Sequence, residues 1–555
     1  MVRFDEEKQE ENLKILRSKE EEDLAKILSE KYGLKYANLL KQPVDAEAVR
    51  LIEEEKALEA KAVAFAKSGK HLGVAVTDPN KPETETVIEK LKKKGYEVEV
   101  FIVSKPSLEH AFEIYKEISS STKTRAGVLE ISEKNIENYL EKVETLEDAR
   151  AAVKEALDSD SQYYVTMVIE AIIASALATD ASDIHLEPEE DVSRLRFRLD
   201  GILSDVLDID NKTHKQLLSR LKLLSGVKLN IKKSAQDGRF TISLKDKEIE
   251  VRVSMVPGEN DESVVLRVLD PGTIQSSLEK LGMHPTIVDV MKREISRPNG
   301  MVLNTGPTGS GKTTTLYTFL KIVNQPEVKI ITIENPIEYH LDGIVQTQTS
   351  KKGLSFASGL RSLMRQDPDI ILVGEIRDSE TAKIAIQAAQ TGHLVFSTLH
   401  TNTAAGTFPR LIDLEANQRT IGSAVNVSMA QRLVRTLCPH CREESEMSAE
   451  EKEYVEKILA DLPENVERPK EYKVYSPVGC EQCNDRGYVG RTGIFDVILL
   501  TKELEELFHK VESPSERDVL TVSEKQGILN MKQDAILKIV SGTTSFAEVK
   551  RVIDL

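Results

Sequence analysis

Residues 306–313 read Gly-Pro-Thr-Gly-Ser-Gly-Lys-Thr and match the pattern G-x-x-x-x-G-K-[ST] of a phosphate-binding loop. An apolar run, Met301-Val302-Leu303, precedes the loop, which is typical of a short buried strand. Apolar residues at helical spacing follow it, at Leu316, Phe319, Leu320 and Val323. Glycines let the backbone wrap around phosphate oxygens, so that N–H groups and a helix N-terminus point at the anion. A strand, a glycine-rich loop and a helix in this order predict a nucleotide site, whereas an accidental glycine-rich turn would lack this context.

The loop also predicts which atoms of the nucleotide each side chain meets. We expect Lys312 to reach the β- and γ-phosphates and Thr313 to ligate Mg²⁺. ATP and Mg²⁺ are therefore the expected cofactors. The candidate nucleotide-binding residues are Gly306, Pro307, Thr308, Gly309, Ser310, Gly311, Lys312, Thr313 and Thr314.

Three more apolar runs follow the loop, at residues 330–333, 370–373 and 394–396, and each is short enough for a central parallel strand. Helical stretches near 355–366 and 379–391 separate them. This alternation predicts a doubly wound α/β domain. Ligands of such domains bind outside the carboxyl ends of the strands.

Polar residues stand where these strands are predicted to end. Glu375 suits a Walker B acid, which holds a Mg²⁺-bound water or polarises the attacking water. Glu334 is the second candidate for orienting that water, and His400 could sense the γ-phosphate. The alternative is that all three are ordinary loop residues at a sheet edge.

Four segments together carry a resemblance to a known family: 306–313, 332–339, 369–378 and 392–401. They resemble the type II/type IV secretion ATPase superfamily, in particular the motors of type IV pilus assembly and type II secretion, over roughly residues 165–555. The resemblance implies a RecA-like ATPase domain in a homohexamer that drives pilus or pseudopilus assembly through an inner-membrane platform protein. One residue departs from the pattern, because Asn335 stands where the family usually has Asp. We expect Asn335 only to fix the turn before Pro336, a position that proline biases away from helix.

A second domain is predicted over residues 161–275, and it resembles the PAS-like α/β domain of the same family. Apolar residues alternate from Ile249 to Met255, so one face of a strand is expected to be buried. Arg252 lies on the other face, and Arg267 lies similarly in the next apolar run. The resemblance implies that both reach the nucleotide, and the rigid fork of arginine suits phosphate oxygens. Without the resemblance, a solvated strand face explains them as well.

All four cysteines lie in two C-x-x-C pairs, Cys438 with Cys441 and Cys480 with Cys483. Two such pairs brought together can bind zinc tetrahedrally through four thiolates. Two redox pairs or free structural thiols are the alternatives, and disulfides are disfavoured in a reducing cytosol. The resemblance favours zinc, since assembly motors of the family carry a tetracysteine site that retraction motors lack.

The predicted fold class is therefore α/β, with four segments. They are a small α/β N-terminal domain with an acidic helical start (1–117), a charged linker (118–160), the PAS-like domain (161–275), and a RecA-like P-loop ATPase domain (276–555) that includes a tetracysteine zinc element at 436–500. The first segment resembles the small N-terminal domain of pilus motors. The repeated leucine-rich motif that binds cyclic di-GMP in such domains is not found, so we do not expect cyclic di-GMP binding.

Composition bounds the location and the partners. The chain has 555 residues, of which 40% are hydrophobic and 30% are charged, as in globular proteins. No apolar run approaches the ~20 residues of a membrane span, so we expect a cytoplasmic protein that meets the inner membrane through partners. The net charge of −17 argues against direct nucleic-acid binding. A RecA-like nucleic-acid translocase and a non-hydrolysing nucleotide-gated scaffold remain the alternatives from other functional classes.

Overall fold

The structure is a computed structural model. It describes residues 21–42, 44–49, 51–52, 54–68, 70–119, 133–161, 163–244, 247–273, 277–350 and 353–555. The acidic start at 1–20 and the middle of the predicted linker, 120–132, lie outside the described residues. Within the described part, the chain forms three sheets with packed helices and one small two-stranded sheet.

The first sheet belongs to a small α/β unit. Its elements are α1 (21–32), β1 (Lys35–Tyr36), α2 (Ala46–Val49), α3 (Glu54–Ala60), β2 (Ala62–Ser68), β3 (His71–Val76), α4 (Pro82–Lys93), β4 (Glu97–Ile102) and α5 (Lys105–Ser119). The four strands are ordered β1-β4-β3-β2. Leu72 and Val74 of β3 and Ile102 of β4 are fully or almost fully buried, so the core lies between the sheet and the helices.

A second unit contains an antiparallel sheet. Its elements are α6 (Glu133–Leu140), α7 (Leu146–Leu157), α8 (Tyr164–Ala178), β5 (Asp183–Pro188), β6 (Val192–Leu199), β7 (Ile202–Asp210), α9 (Asn211–Leu224), β8 (Gln236–Leu244), β9 (Lys247–Pro257) and β10 (Glu262–Leu269). The strand order is β7-β6-β5-β10-β9-β8, and every neighbouring pair is antiparallel. The alternation predicted on β9 is present, because Ile249, Val251, Val253 and Met255 are all buried.

The structure differs from the charged linker predicted over 118–160. In its described part this segment contains α6 and α7, whose apolar residues Ile136, Leu146 and Val153 join the core of the second unit. Both helices are amphipathic, and their charged faces dominate the composition on which the prediction rested. Glu170, on the neighbouring α8, is buried and accepts a hydrogen bond from Nδ2 of Asn135 at 2.8 Å.

The remaining chain forms the largest unit. Its elements are α10 (Pro285–Ile295), β11 (Gly300–Thr305), α11 (Lys312–Val323), β12 (Ile330–Glu334), β13 (Val345–Gln348), α12 (Phe356–Leu363), β14 (Ile370–Val373), α13 (Ser379–Gln390), β15 (Leu394–Leu399), α14 (Thr407–Asp413), α15 (Gln418–Ala424), β16 (Val425–Leu437), β17 (Glu443–Ser445), α16 (Ala449–Ala460), β18 (Val474–Ser476), β19 (Tyr488–Leu499), α17 (Lys502–Lys510), α18 (Glu516–Ser523), α19 (Met531–Val540) and α20 (Phe546–Val552). Seven strands are ordered β13-β12-β14-β15-β11-β16-β19, and only β19 runs antiparallel to its neighbour.

The predicted apolar runs are the centre of this sheet. Every residue of β11, β12, β14 and β15 is buried, because helices cover both faces and each strand can therefore be apolar throughout. The parallel strands end at one edge, where the phosphate-binding loop, Glu334, Glu375 and His400 follow them. Strands β17 and β18 with α16 form an excursion between the long strands β16 and β19.

None of the helices that the structure describes is both long and apolar enough to cross a bilayer.

Candidate nucleotide site and cysteine cluster

The phosphate-binding loop connects β11 to α11 and has the backbone that its glycines allow. Gly306 has φ +148° and Gly311 has φ +87°, in a region that side chains disfavour. A Cβ on Gly306 would lie 2.6 Å from the carbonyl oxygen of Gln431, and one on Gly311 would lie 2.8 Å from its Nε2. The loop is therefore packed directly on β16, and its backbone N–H groups can approach an anion closely.

Lys312 begins α11, and its side chain lies over the loop. Its Nζ donates to the carbonyl oxygens of Gly306 and Pro307, at 2.8 and 2.9 Å. Burial lowers the pKa of Lys312 and the guanidinium of Arg432 lowers it further, while Glu375 and Glu338 act in the opposite direction. An anion bound in the loop would favour the protonated, positively charged form of this amine. Thr313 and Thr314 follow it in the first turn of α11, and both line the cleft between the second unit and the largest unit that is described below.

Glu334 ends β12 and is almost completely buried. Burial raises the pKa of its carboxyl group, against hydrogen bonds from Thr332, Tyr317 and Gln346 that lower it. The neighbouring Asn335 is exposed, and its peptide bond to Pro336 is cis.

Glu375 follows β14 after one glycine, and its side chain is 15% exposed. One carboxylate oxygen, Oε2, forms an ion pair with Nε of Arg377 and lies 3.5 Å from Nε2 of His400. His400 follows β15, the next strand in the sheet, and is half exposed. The two side chains therefore meet at the sheet edge, as expected from strand ends that are adjacent.

A cleft of about 900 Å³ lies between the second unit and the largest unit. The largest unit contributes the phosphate-binding loop, Glu334, Glu375 and His400, and the second unit contributes Asp183, Arg198 and Arg267. On the second wall, Arg198 and Arg267 both form ion pairs with the buried carboxylate of Asp183.

Arg252 and Arg267 are directly opposite each other on β9 and β10, on one face of the sheet. Nε of Arg267 lies 3.0 Å from Oδ1 of Asp183, and the Arg267 side chain remains 57% exposed toward the cleft. Arg252 has other partners: it donates to Glu250 at 3.0 Å and to the carbonyl oxygen of Ile337 in the largest unit. The structure thus brings Arg267 to the cleft and places Arg252 in a contact between the two units.

Sequence reasoning missed several arginines of the cleft: Arg198, Arg432, Arg435, Arg491 and Arg551. Two of them share Glu548, which is buried and accepts hydrogen bonds from Arg435 and Arg551. Burial opposes ionisation of Glu548, but these arginines outweigh it and lower its pKa. Ser545 caps α20 by accepting from the backbone N–H of Glu548, while the Glu548 side chain binds the arginines.

The four cysteines lie together, with their sulfur atoms all within 4.8 Å of one another. Sγ of Cys438 is 3.9 Å from that of Cys480, and Sγ of Cys441 is 3.7 Å from that of Cys483. Four sulfurs about 2.3 Å from a central zinc would be about 3.8 Å apart, so the cluster has the size of a tetrahedral zinc site. These separations are much longer than a disulfide bond of about 2.05 Å.

The segment that holds the second C-x-x-C pair, which we term the second knuckle (480–486), also contacts the second unit. Oδ1 of Asn484 accepts from the backbone N–H of Leu146, at the start of α7, at 2.6 Å. Nη1 of Arg486 lies 3.1 Å from Oδ2 of Asp200, and both side chains are mostly buried. Asp200 is at the turn between β6 and β7 and lines the cleft.

Comparison with known proteins finds matching family models and similar ATPases. The family model described as "Type II/IV secretion system protein" matches residues 158–551, and a second model, the MshEN domain, matches residues 32–120. The type IV pilus assembly ATPase PilB of Myxococcus xanthus is 36% identical over 538 residues, covering 96% of this chain and 91% of that protein. The type II secretion system protein E of Aeromonas hydrophila is 41% identical over 400 residues, covering 72% and 77%.

A solved structure agrees at the level of fold. The ATPase DotB of Legionella pneumophila superposes with a TM-score of 0.51 at 22% identity, over 69% of this chain and 94% of that chain. The family match covers well over half of the chain, and its residues include the phosphate-binding loop, Glu334 and Glu375. The chain belongs to the type II/IV secretion system protein family, and it is an ATPase.

Proposed function

We propose that this ATPase is a cytoplasmic homohexameric motor that drives assembly of a type IV pilus or a pseudopilus through an inner-membrane platform protein. The observation that carries the proposal is the similarity to a pilus assembly ATPase over 96% of the chain. The arrangement of the cleft is consistent with it, since hydrolysis between two units can be coupled to their relative motion.

The residues of the cleft divide the work of hydrolysis. Lys312 and the loop N–H groups would bind the β- and γ-phosphates, and the Thr313 hydroxyl would be a ligand for Mg²⁺, which would supply charge neutralisation at the phosphates. Glu375 would hold a water of that ion or polarise the attacking water. Glu334 orients the attacking water, and His400, 3.5 Å from Glu375, responds to the γ-phosphate. The loop fits a phosphate group, because glycines at 306 and 311 allow its backbone to lie directly against β16, where any side chain would clash with Gln431, and leave its N–H groups free to face an anion.

The second unit, which we infer to be PAS-like, supplies charge from the opposite wall. Arg267 is already at the cleft and half exposed, so it can exchange Asp183 for a phosphate oxygen when the cleft closes. Arg252 contacts the largest unit at the carbonyl oxygen of Ile337, and we infer that it acts at this boundary between the two units.

The cysteine cluster is proposed to hold one structural Zn²⁺ through Cys438, Cys441, Cys480 and Cys483. Backbone N–H groups of Gly479, Cys480 and Gly487 point at two of the sulfurs, as suits thiolate ligands. Elemental analysis of the purified chain in reducing buffer should give about one zinc per chain. A protein that is folded and free of zinc would refute this assignment.

A type II secretion motor is the second candidate, supported by the 41% identity over the shared 400 residues. Direct binding of nucleic acid is not expected at a net charge of −17. The lack of cyclic di-GMP binding stays a prediction, and equilibrium binding to the full-length protein tests it.

Deletion of the gene distinguishes the two candidates. Loss of surface filaments with normal enzyme secretion indicates a pilus motor, and the reverse indicates a secretion motor. Complementation with the wild-type gene should restore the lost process, and complementation with Glu375→Gln should not. Normal filaments and normal secretion in the deletion strain would count against both.

A further inference from the structure

Tyr317 is a fully buried tyrosine whose hydroxyl group lies against Glu334, the buried acidic residue at the end of β12. It is on α11, five residues after Lys312, and its hydroxyl donates to Oε2 of Glu334. Its ring packs edge-to-face against Tyr339, with ring centroids 6.1 Å apart. Burial, followed by the charge of Glu334, raises the pKa of Tyr317 far above its usual range, so the phenol keeps its proton and remains a donor.

The other contacts of Glu334 determine what this hydrogen bond does. Oε1 accepts from the Thr332 hydroxyl at 2.5 Å and from Nε2 of Gln346 at 3.3 Å. A carboxylate offers about four acceptor positions, two on each oxygen. Both positions on Oε1 are occupied, and Tyr317 occupies one on Oε2. One position on Oε2 remains, and the Tyr317 bond fixes its direction.

We propose that Tyr317 is a positioning residue for hydrolysis, which keeps Glu334 ionised and aims the free lone pair of its Oε2 at the attacking water. The inference rests on the proposed role of Glu334. Because Tyr317 belongs to the helix that begins at Lys312, it also couples the water-orienting acid to the loop that binds phosphate.

The charges around the pair agree with this role. Glu338 lies near both side chains and disfavours ionisation of Glu334, as burial does. The donors that oppose these effects are Tyr317, Thr332 and Gln346, and they come from α11, β12 and β13. Lys312, at the start of α11, interacts with Glu338 and Glu375. Removing one donor therefore makes the active, ionised form of Glu334 harder to maintain.

The test is the variant Tyr317→Phe in the full-length protein, with steady-state ATP hydrolysis measured across pH. We expect kcat to fall about tenfold, the scale of a lost hydrogen bond to a charged group, while KM for ATP changes little. Glu334 must be ionised to act, so loss of a donor should move the acidic limb of the kcat profile to higher pH. Tyr339→Phe is the matched control, since it removes a hydroxyl from the adjacent ring and leaves the bond to Glu334. It should resemble the wild type.

Two further variants separate this inference from the proposed function. The double variant Tyr317→Phe with Glu334→Gln should be no slower than Glu334→Gln alone, because Tyr317 acts through Glu334. Wild-type turnover in Glu334→Gln overturns the role of Glu334 and the inference with it. A strongly impaired Glu334→Gln beside a Tyr317→Phe protein with unchanged kcat and pH profile overturns the inference alone.

If the phenylalanine variant does not fold, a difluorinated tyrosine can be placed at position 317 instead, because it keeps both the ring and the hydroxyl. It is a stronger donor, so the acidic limb should move to lower pH. An unmoved limb contradicts the proposal.

Discussion

The two walls of the cleft are built on different principles. On the wall of the largest unit, the phosphate-binding loop, Glu334 and Glu375 each follow a buried parallel strand, and neighbouring strands fix their positions. On the wall of the second unit, Arg267 extends from an antiparallel sheet, is 57% exposed and is held by Asp183. The first wall therefore holds its polar groups at the ends of buried strands. The second carries charges that are paired within their own domain and must exchange partners to act.

From this contrast we expect the two walls to serve different steps of the reaction cycle. Side chains on the first wall are expected to affect the chemical step, and those on the second wall are expected to affect how closure of the cleft is coupled to it. Substitutions on the two walls should therefore differ in size and in kind.

The largest effect is expected at the first wall for Glu375→Gln. The variant keeps the size of the side chain and removes its charge. Turnover should fall about 10²- to 10³-fold, as for other preorganised charge-stabilising groups, while ATP binding is retained. Lys312→Ala should instead lose binding. Hydrolysis assays and titration with a fluorescent ATP analogue measure both, and near-normal turnover in Glu375→Gln would remove this residue from the mechanism.

Glu334→Gln should follow, with turnover lowered by about two orders of magnitude, the usual scale for a positioned base. Burial raises the pKa of Glu334, so the wild-type rate should decline as the pH falls through a value above that of an ordinary carboxyl group. The variant should lose this decline, since an amide does not titrate there. A pH–rate profile for both proteins provides the measurement. An unchanged acidic limb in the variant would assign the titration to another group.

On the second wall, Arg267→Ala should lower turnover about tenfold, as for one charge-assisted hydrogen bond, with little change in the melting temperature because the side chain is largely exposed. Arg252→Ala should also slow hydrolysis, through its contact with Ile337. Light scattering with an ATP analogue should show a hexamer for the wild type. A wild-type protein that is monomeric and fully active would contradict the proposal that the chain is a hexameric motor.

The smallest effect is expected for Asn335→Asp, which restores the residue usual in the family. Asn335 is exposed, and an exposed charge contributes less than about 1 kcal/mol, so turnover should change less than about fivefold. A rise as large as the fall in Glu334→Gln would mean that the two roles are exchanged and that this chain is a slowed motor.

The residues of the cleft also differ in how far sequence predicts them. The loop and the acids of the first wall lie within short contiguous segments, and apolar runs identify the strands that precede them. Arg198, Arg435 and Arg551 come to the cleft through strand pairing and through Glu548, a residue more than a hundred positions from Arg435. The pairing of Tyr317 with Glu334 similarly depends on how α11 packs over β12. Such contacts depend on which elements become neighbours, and no local pattern specifies that.

The charged helices α6 and α7 give the same lesson. Their composition predicts a charged linker, yet Ile136, Leu146 and Val153 are buried in the same core as α8. Composition averages over both faces of a helix, whereas a single apolar face is sufficient for the helix to pack into a core.

The second knuckle has a mechanical consequence. Its Asn484 and Arg486 connect the cysteine cluster to α7 and to the β6–β7 turn. The knuckle continues into β19, which is paired with β16 as far as the segment beneath the phosphate-binding loop. In the proposed motor, a rotation that carries the β6–β7 turn away from the loop would have to break these two bonds or bend β19. We infer that the cysteine cluster would resist such a rotation and pass part of it as strain into β19 and β16, beside the phosphate-binding loop.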